Sequence, residues 1–62
     1  MNKLWEVMKS KGITQLRLSE ITGIAQSEIS KIMNDKKPKL TLTQAKRIAK
    51  GLNCTVEKIW PD

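Results

Sequence analysis

The junction at Gly23 constrains the fold of this 62-residue chain more than any other feature. Thr14 is a favourable N-cap for a helix over about Gln15–Thr22, and Gly23 ends that helix. A second helix is predicted over about Gln26–Met33. Because Gly accepts the backbone angles of a sharp turn, the two short helices are predicted to pack against each other across it.

The residues around this turn predict how the two helices pack. A close approach needs a small residue one turn before Gly23, and Ser19 lies there. Four apolar residues are then predicted to close the interior of the unit, namely Leu18, Ile24, Ile29 and Ile32. The pattern favours a helix–turn–helix, but it also arises by chance in helical hairpins.

Helical periodicity continues on both sides of this unit. Before it, Leu4, Val7 and Met8 predict a first helix, which Gly12 ends as the C′ residue. After it, the polar stretch "NDKKPK" is predicted to be a loop, because Pro38 excludes a helix there.

Two further helices are predicted in the C-terminal third. Thr41 and Gln44 form a capping box that opens a helix at about Leu42. Its predicted buried stripe consists of Leu42, Ala45, Ile48, Ala49 and Leu52. Thr55 can cap a short final helix, which Pro61 ends. The apolar residues of that helix are Val56, Ile59 and Trp60. The predicted fold is all-α, a compact five-helix single domain over residues 1–62.

The composition excludes several classes of protein. With no His and a single Cys, Cys54, the chain offers neither a disulfide framework nor a ligand set for zinc. Its carboxylates are scattered and Cys54 has no evident base, so neither an enzyme nor a cofactor site is predicted. Cys54 is expected to pack as a small hydrophobe near the last interhelical turn. A cytoplasmic protein without a membrane association is expected, because no apolar stretch reaches membrane-spanning length and the N-terminus is charged.

The net charge of +6 is concentrated in one segment. Residues 31–50 hold seven of the 12 basic residues and one of the 6 acidic ones, so the rest of the chain is neutral. A basic excess of this kind is typical of a polyanion-binding surface. Taken alone, it is equally compatible with a solubilising face.

Two stretches carry a resemblance to a known family. "KGITQLRLSEITGIAQSEISKIMND" is similar to the end of helix 1, both turns, helix 2 and the recognition helix of Xre/Cro-family repressors. "LTLTQAKRIAKGLNCTVEKIW" resembles helices 4 and 5 of that family, which includes the lambdoid phage repressors. The resemblance implies a five-helix helix–turn–helix domain. It also implies a transcriptional regulator that binds double-stranded operator DNA as a homodimer, with the second helix of the motif in the major groove.

The predicted base contacts lie on the second helix of the motif. On a helical wheel of about 100° per residue, Ser27 and Lys31 lie nearly opposite its apolar residues, and Ser30 comes next. Gln26 can project past the helix end, and Gln26, Ser27 and Lys31 match the family's first, second and sixth recognition-helix positions. Gln can bond adenine, Lys can reach guanine acceptors, and Ser suits either base.

The predicted phosphate contacts flank that helix. They are Gln15 at the start of the preceding helix and, after the recognition helix, Asn34, Lys36, Lys37 and Lys39. Glu28 is expected to favour the positive helix N-terminus, although it could also accept from cytosine. The remaining basic cluster is expected to be a solvated face and consists of Lys46, Arg47 and Lys50.

Three departures from the family pattern carry information. Ala25 stands where relatives have a Ser or Thr cap, so the recognition helix is expected to fray before DNA binds. Met8 and Met33 stand where relatives often pair an Arg with a Glu, which predicts that the two side chains meet in the interior.

The third departure supports an alternative function. Trp5, Leu16 and Ile21 are apolar where relatives are usually polar. They are expected to extend the small core, but together they could instead form a patch for a second protein. A protein-interaction module such as an antitoxin or anti-repressor partner is therefore the competing hypothesis. Under the leading hypothesis, dimer contacts are expected around the fifth helix and Trp60, and a homodimer is expected at least on DNA, whether the free protein is monomeric or dimeric.

Overall fold

The computed structural model describes residues 2–35 and 40–61 of the chain. Within these residues the secondary structure consists of five helices and contains no strand. The helices are α1 (Leu4–Lys11), α2 (Gln15–Thr22), α3 (Gln26–Met33), α4 (Leu42–Gly51) and α5 (Val56–Ile59). The predicted all-α class and the predicted bounds of α2 and α3 are confirmed.

Threonine side chains begin three of these helices. Thr14 Oγ1 accepts the N–H of Arg17 at 3.1 Å, and Thr41 Oγ1 accepts the N–H of Gln44 at the same distance. Thr55 Oγ1 caps α5 in the same way at 3.3 Å. Each bond satisfies a backbone donor that has no partner within the helix. The predicted caps are confirmed at all three positions.

Glycine ends α1 and α2, as the sequence predicts. Gly12 and Gly23 have φ of +66° and +74°, a region that favours residues without a Cβ. The Gly23 N–H donates to Ser19 O at 2.8 Å and closes the last turn of α2.

A single apolar cluster lies between the helices. Helix α2 packs against α3 and α4, and α5 packs against α4 and α1. The cluster consists of Leu4, Val7, Met8, Leu18, Ile24, Ile29, Ile32, Ile48, Ala49, Leu52 and Ile59. It contains all four residues predicted to close the helix–turn–helix interior. Cys54 packs against its edge as expected.

The stripe predicted for α4 is wrong at one position. Leu42 is 65% exposed, whereas Ala45, Ile48, Ala49 and Leu52 are buried. On the helical wheel, Leu42 points in the same direction as the rest of the stripe. It is the first residue of α4, however, and none of the described elements covers it there.

A close approach of two helices at the end of α4 was not predicted. A Cβ at Gly51 would come within 3.1 Å of Ile21 Cγ2 and 3.2 Å of Thr22 Cγ2. The missing side chain therefore lets α4 lie directly against the end of α2. Ser19, predicted as the small residue of the α2–α3 contact, is half-buried.

Candidate nucleic-acid interface

The two sides of α3 differ sharply in exposure. Ile29 is 0% exposed and Ile32 is 2% exposed, so one side of the helix is anchored in the core. On the other side, Gln26, Ser27 and Lys31 are exposed. Ser30, also a predicted base contact, is half-buried. The structure thus leaves three of the four predicted base contacts exposed on α3.

The turn before α3 is held by Thr22 instead of by a conventional cap. Ala25 provides no side-chain acceptor to α3, because its side chain is a methyl group. Thr22 Oγ1 donates to Leu18 O at 2.7 Å and accepts the N–H of Ile24 at 3.2 Å. These two bonds tie the end of α2 to the chain that enters α3. Sequence inspection missed this role, because a Thr at a helix end has several local partners.

Glu28 lies beside the predicted base contact Lys31. Lys31 Nζ is 3.8 Å from Glu28 Oε1, and 58% of the Lys31 side chain remains exposed. Glu28 also lies in the first turn of α3, where a negative charge is favourable, as expected. The ammonium group therefore has a carboxylate neighbour on the same helix.

The residues predicted to contact phosphate have different surroundings. Gln15 is the first residue of α2 and lines a cavity with Trp5 and Lys9. Asn34 is exposed, and its Nδ2 donates to Ser30 O at 2.9 Å, which leaves the second N–H of the amide for another acceptor. The loop lysines Lys36, Lys37 and Lys39 lie outside the described residues.

A cation–π contact lies next to Gln15. Lys9 Nζ is 4.8 Å from the centre of the Trp5 ring. The two residues are four positions apart on α1, a spacing that places side chains on the same helix face and was available in the sequence. The contact holds a positive charge beside the start of α2.

The methionines that replace the family's ion pair lie together. Met8 and Met33 line the same cavity between α1 and α3. Met8 is buried, and Met33 is half-buried and packs against the core. Both side chains thus lie at one cavity, and their direct contact in the interior stays a prediction.

The three unexpected apolar residues are exposed, so the expectation that they extend the core is wrong, and they lie in different surroundings. Trp5 lines a cavity with Met33 and Asn34, whereas Ile21 lines a groove with Arg47 and Lys50. Leu16 does not line the cavities that Trp5 or Ile21 lines. The structure does not bring the three side chains together at one cavity.

Two classes of feature are absent from the part of the chain that the structure describes. No group of three or more potential metal-ligating side chains occurs among these residues. None of their helices is both long enough and apolar enough to cross a membrane.

Comparison with known proteins agrees with this geometry. Residues 3–59 match the family described as the Cro/C1-type HTH (helix–turn–helix) DNA-binding domain. The chain is 40% identical over 55 residues to the SPbeta prophage-derived uncharacterized HTH-type transcriptional regulator YopS of Bacillus subtilis (strain 168). That alignment covers 89% of this chain and 74% of the relative. No solved structure matches the chain.

Proposed function

The chain belongs to the Cro/C1-type helix–turn–helix family of DNA-binding transcriptional regulators, which are not enzymes, and we propose that it binds a palindromic operator as a dimer. In this proposal residues 1–62 act as one DNA-binding domain. Helix α3 of each subunit enters the major groove of one half-site.

The observation that carries the proposal is the asymmetry of α3. A helix with one fully buried side is rigidly placed, and its opposite side is free to meet base edges. Gln26, Ser27 and Lys31 are exposed on that side, and half-buried Ser30 is proposed as a fourth base contact. Together they supply donors and acceptors that discriminate between base pairs.

Phosphate contacts would hold α3 in register. We assign them to Gln15, Asn34, Lys36, Lys37 and Lys39. Gln15 adds a side-chain donor to the N-terminus of α2, whose backbone N–H groups favour an anion. The lysines account for much of the local basic excess and contribute affinity without discriminating between sequences.

The regulatory role follows from occupancy of the operator. We propose a phage or prophage repressor of the Cro type that excludes polymerase from a promoter, since the relative is named as prophage-derived. Dimer contacts are assigned to the surface around α5, where Trp60 is half-buried and packs against the core.

Selection of bound duplexes from a random DNA library tests the proposal. Enrichment of a palindrome is expected, with half-site centres about one helical turn apart. Enrichment of a single half-site would contradict dimeric binding. If no sequence were enriched, the interaction-module hypothesis based on Trp5, Leu16 and Ile21 would be favoured instead.

A further inference from the structure

The ring of Trp5 borders two of the residues assigned to phosphate binding. Trp5 and Met33 line one cavity together with Gln15 and a second cavity together with Asn34. Trp5 is exposed, although it is the largest apolar side chain of α1. An exposed indole, which carries a single N–H donor and no charge, therefore lies on the surface that joins these two residues.

Lys9 brings a positive charge to this surface. Its Nζ lies 4.8 Å from the centre of the Trp5 ring, and Lys9 also lines the cavity that contains Gln15. Among the described residues that line that cavity, Lys9 alone carries a charged side chain. The second cavity differs, because Glu6 lines it beside Asn34. An anion is therefore favoured at the cavity of Gln15 and not at that of Asn34.

The ammonium group of Lys9 remains available to an anion. Lys9 is exposed, and it takes part in no ion pair among the residues that the structure describes. An ammonium has three N–H donors, so one side of it can face a ring while another side donates to an oxygen. A phosphate can thus bind Lys9 without breaking the contact with Trp5.

The contact with Trp5 also restricts where this charge can lie. Trp5 and Lys9 are four positions apart in α1, so their side chains share one face of the helix. The helix is itself anchored in the core through Leu4, Val7 and Met8. A lysine held in this way loses less conformational freedom when it binds a phosphate than one that moves freely.

We propose that Lys9 is a further phosphate contact and that Trp5 positions it, a role that rests on the proposed DNA-binding mode. The phosphate is shared with Gln15, which lines the same cavity. Lys9 supplies charge and Gln15 supplies an N–H donor, so the site holds the duplex without discriminating between bases. Trp5 acts through Lys9 and contacts no DNA.

The first test compares Lys9→Met with the unchanged protein on the palindromic duplex that library selection returns, across a salt series. Methionine keeps a long apolar side chain over the ring but removes the charge. The slope of log affinity against log salt concentration is expected to become shallower by about 0.9, the contribution of one phosphate. Near about 0.1 M salt, this corresponds to a loss of affinity of roughly 5- to 10-fold. Base preference is expected to stay unchanged.

Two further variants control for a general effect of charge. Lys11→Met is the matched control, because Lys11 is an exposed lysine in the same last turn of α1 but does not line that cavity. It is expected to leave the slope unchanged. Lys9→Arg keeps a cation that can stack on the ring and bind phosphate, so it is expected to keep the slope as well.

A double-mutant cycle tests the role of Trp5. Trp5→Leu keeps an apolar side chain but removes the ring face, and it is expected to lower affinity about 2- to 5-fold, the effect of an exposed cation–π contact. In the Lys9→Met background the same substitution is expected to cause no further loss, because Trp5 acts through the charge of Lys9. Trp5→Phe retains a ring and is expected to lose less affinity than Trp5→Leu.

Three results would overturn the inference. The first is an unchanged slope or an altered base preference in Lys9→Met, and the second is an equal change of slope in Lys11→Met. The third is an equal loss from Trp5→Leu with and without the charge of Lys9, which would mean that Trp5 contacts DNA itself or supports the fold. If the unchanged protein bound no duplex at all, the proposed function would fail as well, whereas normal binding with any of the three results rejects only the roles of Lys9 and Trp5.

Discussion

At the scale of single residues, the proposed interface assigns base recognition and phosphate binding to different residues. Lys31 is exposed on a helix that Ile29 and Ile32 anchor in the core, which suits the proposed base contact. Lys37 lies in the predicted loop, where a flexible ammonium suits the uniform charge of a phosphate backbone.

Lys31→Ala is expected to relax preference at one operator position. The variant removes a donor to base acceptors. Binding to the operator with the preferred base should therefore become weaker by roughly 1–3 kcal/mol. Affinities for the operator and for its single-base substitutions provide the measurement. An intact base preference in this variant would mean that Lys31 faces phosphate.

Lys37→Ala is expected to weaken binding about equally to all these duplexes. It should also reduce the salt slope by about one unit, because one fewer counterion is released. A change of base preference in Lys37→Ala would show that the recognition helix has been assigned wrongly.

At the scale of secondary-structure elements, α3 is the less well capped of the two helices that form the motif. Thr14 caps α2, whereas Ala25 precedes α3 with φ of −59° and ψ of 146°, a conformation that a serine can adopt. The proposed recognition helix therefore begins without a side-chain acceptor.

Ala25→Ser is expected to stabilise the protein by about 1 kcal/mol through a new N-cap bond. Urea unfolding followed by circular dichroism measures this change as a higher transition midpoint with an unchanged slope. Ala25→Val serves as the control, because it enlarges the side chain without adding an acceptor. Equal midpoints for the Ser and Val variants would contradict the missing cap as the cause.

The contact between α2 and α4 depends on Gly51. Gly51→Val is expected to destabilise the protein by about 1–3 kcal/mol, because its side chain would overlap Ile21 and Thr22. Thr22 has little freedom to move, since its hydroxyl is bonded to both Leu18 O and the N–H of Ile24. Lys50→Val introduces the same side chain at an exposed neighbour and controls for helix propensity. If Lys50→Val lost as much stability as Gly51→Val, packing at Gly51 would not be the cause.

At the scale of the whole molecule, the charge distribution sets how the protein meets DNA. The excess of +6 lies within residues 31–50, which include Lys31, the loop lysines and the exposed cations of α4. The affinity for duplex DNA is therefore expected to fall steeply as the salt concentration rises. Each neutralised phosphate should contribute about −0.9 to the slope of log affinity against log salt concentration. Titrations across a salt series measure this slope. A flat dependence would contradict the phosphate contacts and favour a protein partner.

The sequence by itself determined the helices and their ends, because the interactions that set them are local. The bonds of Thr14, Thr41 and Thr55 each span three residues, and Gly12 and Gly23 act through their own backbone angles. Helical periodicity also predicted the buried side of α3, since a short amphipathic helix has only one apolar face to bury. The same periodicity placed Ser27 and Lys31 nearly opposite that side.

Only the tertiary structure decided which surfaces meet. The helical wheel gives the direction of Leu42 but not whether another element covers it, and none of the described elements does. The approach of α4 to Ile21 and Thr22 at Gly51 depends on how two helices cross, and the bond from Asn2 to Asp35 joins residues 33 positions apart. Such contacts depend on the packing of the whole core, which no local pattern of residues encodes.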